Sequence, residues 1–342
     1  TQTNEGYSRE LAMMSYFGRV NYDYAGKYLF EANFRADASS RFSPDNRWGY
    51  FPSLSAGWRM SEEGFMEGAR DWMQSLKLRA SWGQLGNQEA LDDYYPWLIT
   101  YAIGSSSGGN YPFDGNVNTG IMQKAQKLSS ISWEKSSNWG IGFDLSVLSC
   151  LDLTLDYYNR KTTGIIMDVP VPGSFGLDPY KDNVGAMRNS GFEVTASFHK
   201  QWNDWTFGAT GNMAVNKNEI LNLGGVNEMV DKDNAYFINR VGAAYKSFYG
   251  YVADGLFRSQ EEADAYTEKY GNPFGNAFKA GDIKYKDVNG DGKLTSADRD
   301  VAGSEQPNVT FGLNLSASWK NFDLSVFMQG ACGVSRYFNN EV

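Results

Sequence analysis

The chain has one histidine and two cysteines in 342 residues. Cys150 and Cys332 lie far apart with no CxxC spacing, which indicates neither a disulfide framework nor a zinc site; free thiols or one long-range bridge both fit. His199 stands at the polar end of an alternating segment. As a general base it would need a partner that no motif supplies, so it reads as a side chain on a wet surface or interface. There is no GxSxG, no P-loop and no GxGxxG set between a strand and a helix, so no enzymatic activity is expected. Clustered Lys and Arg are also missing: the net charge is -9 and the pI is near 4.8, which excludes a sequence-independent grip on nucleic acid. No apolar run approaches the roughly 18 to 20 residues of a membrane-spanning helix. The first residues, TQTNEGYSRE, lack the basic start and apolar stretch of a signal peptide. With Thr1 in place of an initiating Met, the chain is expected to be a piece of a longer protein.

What is plentiful is aromatic. Twenty-one Tyr, 21 Phe and 10 Trp make up 15% of the residues, more than the core of an ordinary enzyme needs. Their placement follows a two-residue period. In SYFGRVNYDYAGKYLFEANFRAD, Tyr16, Val20 and Tyr22 oppose Arg19, Asn21 and Asp23, and after the YAGK turn Tyr28, Phe30, Ala32 and Phe34 oppose Glu31, Asn33, Arg35 and Asp37. This pattern predicts a long β-hairpin. LKLRASW, LDLTLDYYNR, FEVTASFH, WTFGATGNMAVN, VTFGLNLSASW and FDLSVFMQG repeat it. Such segments outrun the usual five- or six-residue strand and match the span of a tilted membrane strand. Many begin or end in aromatics, among them Tyr24, Tyr28, Trp58, Trp82, Trp139, Trp205 and Trp319, as interfacial girdles would.

The connections alternate in length. YAGK, SEEGFMEGARDWMQ, VLSC, KQWND and KN form one set, and all but the second are tight. SSRFSPDN, the stretch from Gly86 to about Ser129, Lys161 to Met187, and Asn218 to about Asn308 form the other, and the last three are very long. Short turns on one side and long loops on the other are the habit of outer-membrane barrels. The expected fold is therefore all-β over residues 1–342: part of a transmembrane antiparallel β-barrel, about ten strands, with short periplasmic turns and long extracellular loops. Residues 219–308 form the longest loop region. Within it SQEEADAYTEKYGN, from Ser259, is expected to be a short amphipathic helix.

DVNGDGKLTSAD, residues 287–298, has the spacing of a calcium loop. Asp287, Asn289 and Asp291 take positions 1, 3 and 5, Gly292 the tight turn, Lys293 the carbonyl position, Thr295 position 9 and Asp298 position 12. Asp at position 12 replaces the usual Glu. GDIKYK before it reads as extended, and only one such loop is present, so a structural Ca²⁺ clip is expected instead of a sensor.

Several ordered segments together resemble the SusC/RagA-like TonB-dependent outer-membrane transporters of Bacteroidota. They are the stretch from MMSYFGRVNYDY to WRMSEEGF, then LKLRASWGQLGNQ, NVGAMRNSGFE, GYVADGLFRSQEEADAY, AGDIKYKDVNGDGKLTSADR and FDLSVFMQG. The resemblance implies a parent barrel of 22 strands and an N-terminal plug contacting the TonB-ExbB-ExbD complex. It further implies a SusD-like surface lipoprotein over the mouth and import of oligosaccharides, or in some members peptides. Plug, early strands and the final closing strand are expected outside this chain, and no catalytic residues are implied. Trp97, Tyr111 and Phe113, aromatics in long loops, are candidates for stacking on substrate. The competing readings are a soluble calcium-dependent carbohydrate-binding β protein and a glycoside hydrolase using carboxylates such as Asp152 and Asp156.

Overall fold

The computed structural model describes residues 8–89, 94–98, 101–104, 109–123, 130–169, 174, 180–231 and 234–338. The alternating segments form long strands: β1 (Met13–Tyr24), β2 (Tyr28–Ser39), β3 (Trp48–Arg59) and β4 (Met73–Asn87). Four short strands follow: β5 (Tyr101–Ile103), β6 (Tyr111–Phe113), β7 (Asn116–Asn118) and β8 (Ile121–Gln123). β5 pairs with β8 and β6 with β7. The long series resumes with β9 (Glu134–Val147), β10 (Leu151–Val169), β11 (Tyr180–Trp202) and β12 (Trp205–Leu223). After β13 (Glu228–Val230), β14 (Phe237–Arg240), β15 (Ser247–Tyr251), β16 (Ala253–Leu256), helix α1 (Gln260–Tyr270), β17 (Ile283–Tyr285) and β18 (Arg299–Ser304), the chain returns through β19 (Val309–Trp319) and β20 (Phe322–Cys332).

Ten strands make one sheet in the order β1-β2-β3-β4-β9-β10-β11-β12-β19-β20, so every long strand lies beside its neighbour in that series. The pairings from β1 through β11 are antiparallel. Register keeps the apolar parity continuous. Tyr22 stands opposite Phe30, which faces Ala56, then Ala80, Ile141, Tyr157 and Phe192. One row toward the short turns run Tyr24, Tyr28, Trp58, Leu78, Phe143, Leu155 and Val194. A one-residue slip at any pair would throw charge into these rows, which is why the alternation specifies the register. Tyr28 stacks on Trp58 at 6.4 Å and Trp205 on Trp319 at 5.5 Å, giving the aromatic end-band its cross-strand packing.

Four connections are tight: 25–27, 148–150, 203–204 and 320–321. All use left-handed backbone at residues other than glycine, with Ala25, Leu148, Ser149, Asn203 and Lys320 at φ between +52° and +56°. Hairpins of that length need this conformation to follow the right-handed strand twist. The fifth short-side connection, 60–72, carries two turns of 3-10 helix. Glu63 within it accepts hydrogen bonds from Tyr28 Oη (2.7 Å), Trp58 Nε1 (3.1 Å) and Lys27 Nζ (3.2 Å), tying it to the first hairpin.

Two long connections are shorter than expected. β10 and β11 continue past Lys161 and Met187 and stay paired to Val169 and Tyr180. A register shift at Thr163/Ile165, beside Gly164 with φ +64°, absorbs the break in alternation that made this stretch read as loop. β12 likewise reaches Leu223, beyond the expected Asn218.

The chain divides into two compact units, residues 1–215 with 311–329, and 216–310 with 330–342. The first unit holds a small core beside the long connections, where Phe42, Phe51, Ile131 and Trp133 pack together. Trp133 sits 5.2 Å from Phe42 and 5.5 Å from Phe51, and its Nε1 donates to the Arg47 carbonyl at 3.0 Å. The second unit contains the sheet β13-β14-β15-β18 and the β16–β17 ladder. Its core is aromatic: Phe257 and Phe278, with Ala263 and Leu294, are flanked by Tyr251, Tyr266, Tyr270 and Tyr285.

Candidate functional site

Alternation leaves the second face of the large sheet to polar side chains, and these join across strands. Arg79 on β4 donates to Asp144 on β9 at 2.8 and 3.0 Å and pairs with Asp156 on β10 at 3.0 Å, so one cation spans three neighbouring strands. Arg19 donates to Asn33 at 2.6 Å, and Asn33 in turn to Glu31 at 2.7 Å. Arg160 donates to Asn138 at 2.8 Å. Side chains of this kind suit the wet wall of a barrel lumen, where mixed charge stays solvated. The opposite face turns large apolar side chains outward: Val20, Tyr22, Phe30, Leu54, Ile141 and Phe192 are all exposed. A soluble protein of this size would bury them.

The carboxylates weighed for glycoside hydrolysis have other partners. Asp156 is held by Arg79, and Asp152 accepts from Ser146 Oγ at 2.6 Å and lies 3.7 Å from His199 Nδ1. His199 is thus at the short-turn end of the polar face, exposed, with a carboxylate beside it.

The expected calcium loop lies in the second unit between β17 and β18. Its carboxyl groups fold inward onto backbone N–H groups. Asp287 accepts from Gly290 N (2.8 Å) and Gly292 N (2.9 Å), Asn289 Oδ1 from Asp291 N (2.8 Å), and Asp291 from Lys293 N (2.8 Å). Asp298 is fully buried and accepts from Val288 N (3.1 Å), Asn289 N (3.4 Å) and Thr295 N (2.7 Å). Burial alone would push its carboxyl up. The N–H groups of Thr295, Asn289 and Val288, with Asp287 in hydrogen-bonding reach, outweigh that and hold it below the usual carboxylate range. Gly290 and Gly292 take φ of +72° and +77°, as the tight turn requires. Thr295 caps the 3-10 turn Ser296–Asp298 through a reciprocal capping box. Among the described residues no group of three or more His, Cys, Asp or Glu is disposed to hold a metal. In this structure the side-chain oxygens of Asp287, Asn289, Asp291 and Asp298 are taken up by backbone N–H groups of the loop itself.

Leu294, inside that loop, is buried in the aromatic core, and its N–H donates to the Tyr270 carbonyl at the end of α1 at 2.6 Å. Loop and helix therefore form one packed body. α1 begins at Ser259 as the sequence indicated, the serine accepting from Glu262 N at 3.3 Å. Tyr266 on this helix donates to the Tyr285 carbonyl. Burial, then the charges of Tyr270, Asp254, Asp287 and Asp298, push its phenol up to about 12. The aromatic core was missed in the sequence because its tyrosines and phenylalanines follow no period. On the adjoining sheet, Arg240 bridges Glu228 and Asp300, and Arg299 lies 4.3 Å over the Tyr249 ring.

The loop aromatics are placed separately. Trp97 donates from Nε1 to the Ser40 carbonyl at 3.4 Å, an anchoring contact. Phe113 is 68% exposed next to the β6–β7 turn. Tyr111 pairs through its backbone with Asn118, and its side chain lies outside the described residues.

Comparison with known proteins gives the same architecture. The family model described as TonB dependent receptor-like, beta-barrel matches residues 2–330. TonB-dependent receptor P26 of Formosa agariphila is 34% identical over 332 residues, covering 94% of this chain and 32% of the relative. TonB-dependent receptor SusC of Bacteroides thetaiotaomicron is 31% identical over 346 residues, covering 97% and 32%. Among solved structures, a RagAB peptide importer in its open-open state superposes with a TM-score of 0.74 at 26% identity, over 95% of this chain and 33% of that one. The chain thus spans about a third of the length of the curated relatives it matches. With its apolar face outward, its charged face inward and this kinship, the chain belongs to the TonB-dependent receptor β-barrel family, of the SusC/RagA type, and is a protein of the outer membrane of Bacteroidota.

Proposed function

We propose that the chain is the later part of the barrel wall of a TonB-dependent importer that takes up oligosaccharides beneath a SusD-like surface lipoprotein. The observation that carries this reading is the continuous register: one face of β1 to β11 is fit for lipid and the other, cross-linked by Arg79, Asp144 and Asp156, for water and polar solute. Oligosaccharide cargo is supported by exposed aromatic faces in the long connections, Phe113 among them, on which sugar rings can stack. A peptide cargo is the second reading, favoured by the likeness to a protein described as a peptide importer. A soluble calcium-dependent carbohydrate-binding protein receives no support from a fold whose apolar rows face outward.

Energy would reach the parent protein through a plug and the TonB-ExbB-ExbD complex. We also propose that residues 287–298 hold one Ca²⁺ through Asp287, Asn289, Asp291, Asp298, the Lys293 carbonyl and the Thr295 position. The ion would act as a fixed clip on the second unit, without catalysis.

The test uses the full-length protein expressed with its neighbouring lipoprotein. Uptake of labelled oligosaccharides and peptides is followed in cells with and without TonB. TonB-dependent oligosaccharide uptake, with lipoprotein co-purifying from detergent, is the expected result. Uptake restricted to peptides selects the second reading, and recovery as a soluble monomer without detergent overturns both.

A further inference from the structure

The outward apolar face is not uniformly bulky. In the row Tyr22, Phe30, Ala56, Ala80, Ile141, two consecutive positions carry only a methyl group. Neighbouring strands lie about 4.8 Å apart, so Phe30 and Ile141, three strand spacings from each other, stand roughly 14 Å apart across two alanines. In the next row Val20 faces Ala32, and Ala32 faces Leu54, so the depression continues diagonally. The result is a hollow of about 490 Å³ floored by Ala32, Ala56 and Ala80 and walled by Phe30, Leu54, Trp82 and Trp139.

We infer that this hollow is a binding site for one acyl chain of a phospholipid from the membrane leaflet on the short-turn side. Three observations select that occupant. The hollow lies on the face that meets lipid, and it is continuous with the rest of the apolar band. It is a shallow hollow that stands open along its lipid-facing side, so a chain already in the bilayer can lie in it without leaving the membrane. It opens one row inside the aromatic band of Tyr24, Tyr28 and Trp58, the level at which interfacial aromatics meet headgroups, on the side where the connection is 25–27. A chain entering from that leaflet therefore reaches the alanine floor with its first methylenes. Aromatic walls give such a chain wide, flat contact at little entropic cost, because the rings are already fixed by the sheet. This inference goes beyond transport: it concerns how the barrel is held in its membrane.

The experiment is lipid retention by the full-length protein. It is extracted in mild detergent, exchanged extensively and examined by native mass spectrometry with identification of bound lipid. The wild type should keep one phospholipid per barrel. Ala56→Phe with Ala80→Phe, which fills the floor while leaving the face apolar, should lower retention by about tenfold or more, equivalent to at least ~1.4 kcal/mol. Ala196→Phe, on the same face but away from the hollow, should leave it unchanged. If the filled variant folds poorly, wild-type protein in vesicles containing a phospholipid with a photoreactive chain terminus provides the second readout. Crosslinks should then concentrate on peptides from β2, β3 and β4. Equal retention in the filled variant overturns the proposal. So do recovery of lipid A or a protein-bound anchor as the retained species, and crosslinks spread evenly over all strands.

Discussion

Gly86→Ala tests how the small core at the long-connection side is built. A methyl group at Gly86 would lie 2.8 Å from Phe51 Cε2, with two further atoms of the same ring nearer still. Ordinary carbon contacts are about 3.5 to 4.0 Å, so the ring must retreat by roughly 1 Å or more. It has little room. Phe51 is 5% exposed and Trp133 sits edge-on at 5.5 Å, itself against Phe42, which is fully buried. Gly49 presses on the same ring, where an added methyl would come within 2.9 Å of Cε2 and 3.1 Å of Trp133 Cδ1. Overpacking a closed core costs about 1 to 3 kcal/mol. The change should therefore destabilise the detergent-solubilised protein by that amount in a denaturant titration. Phe51→Leu alone loses ring packing, but in that background Gly86→Ala should cost much less, a coupling of about 1 kcal/mol or more in the double-mutant cycle. If Gly86→Ala is neutral, or equally costly with Leu at 51, ring contact is not why glycine occupies this position.

Phe257→Ala should unfold the second unit locally, at about 3 to 5 kcal/mol, while hydrogen exchange in β1 to β4 stays as in the wild type. If the loop 287–298 takes Ca²⁺, saturation at a hundredfold over the dissociation constant should stabilise that unit by about 2.7 kcal/mol. Asp287→Asn should abolish the gain, and Ca²⁺ should lower the Tyr266 phenol from its raised position in a spectrophotometric titration compared with Tyr266→Phe. Glu63 is held below its ordinary range by hydrogen bonds from Tyr28 and Trp58 and by Lys27, against some burial. Its contribution is present above the unfolded-state value and is lost as pH falls through the folded one, so proteolysis at 60–72 should rise in acid in the wild type and be pH-independent in Glu63→Gln. Ser149→Gly relieves a left-handed residue at φ +52° and should be neutral to stabilising, by up to about 1 kcal/mol. A clear loss would show that the turn is held by more than backbone preference.

The strands were legible because each obeys two constraints at once. Tyr22, Phe30, Ala56 and Ala80 show the period in sequence, and the same parity fixes their partners in the sheet. Turn length then gave the order of neighbours, and ten long strands are found where ten were expected. Legibility ended where local pattern no longer determined the contact. Thr162 to Val169 is rich in β-branched residues, but the bulge at Gly164 interrupts its alternation, and the stretch read as loop. The sheet β13-β14-β15-β18 was missed because its strands are short and one pairing joins Ser247 to Ser304 across a long stretch of chain. The Arg79 bridge was invisible for the same reason, since Asp144 and Asp156 reach it only through register. The loop 287–298 showed the spacing of a calcium loop, but not that Leu294 would anchor it to α1.

The reach of β10 and β11 has a practical meaning. They run for 19 and 23 residues, whereas about 9 to 11 suffice to cross the hydrocarbon at the usual tilt. At roughly 3.3 Å per residue and a tilt near 45°, the surplus stands about 20 Å clear of the lipid on the long-connection side. It is the same for both strands, because Val169 pairs with Tyr180 there and the extra residues of β11 lie past Phe198 at the short-turn end. A short peptide tag inserted between Val169 and Tyr180 should therefore be displayed above the headgroup layer, accessible to antibody on intact cells. Because the mast carrying it is hydrogen-bonded strand, the tag would report the barrel's orientation in the membrane without having to disturb the wall that crosses it.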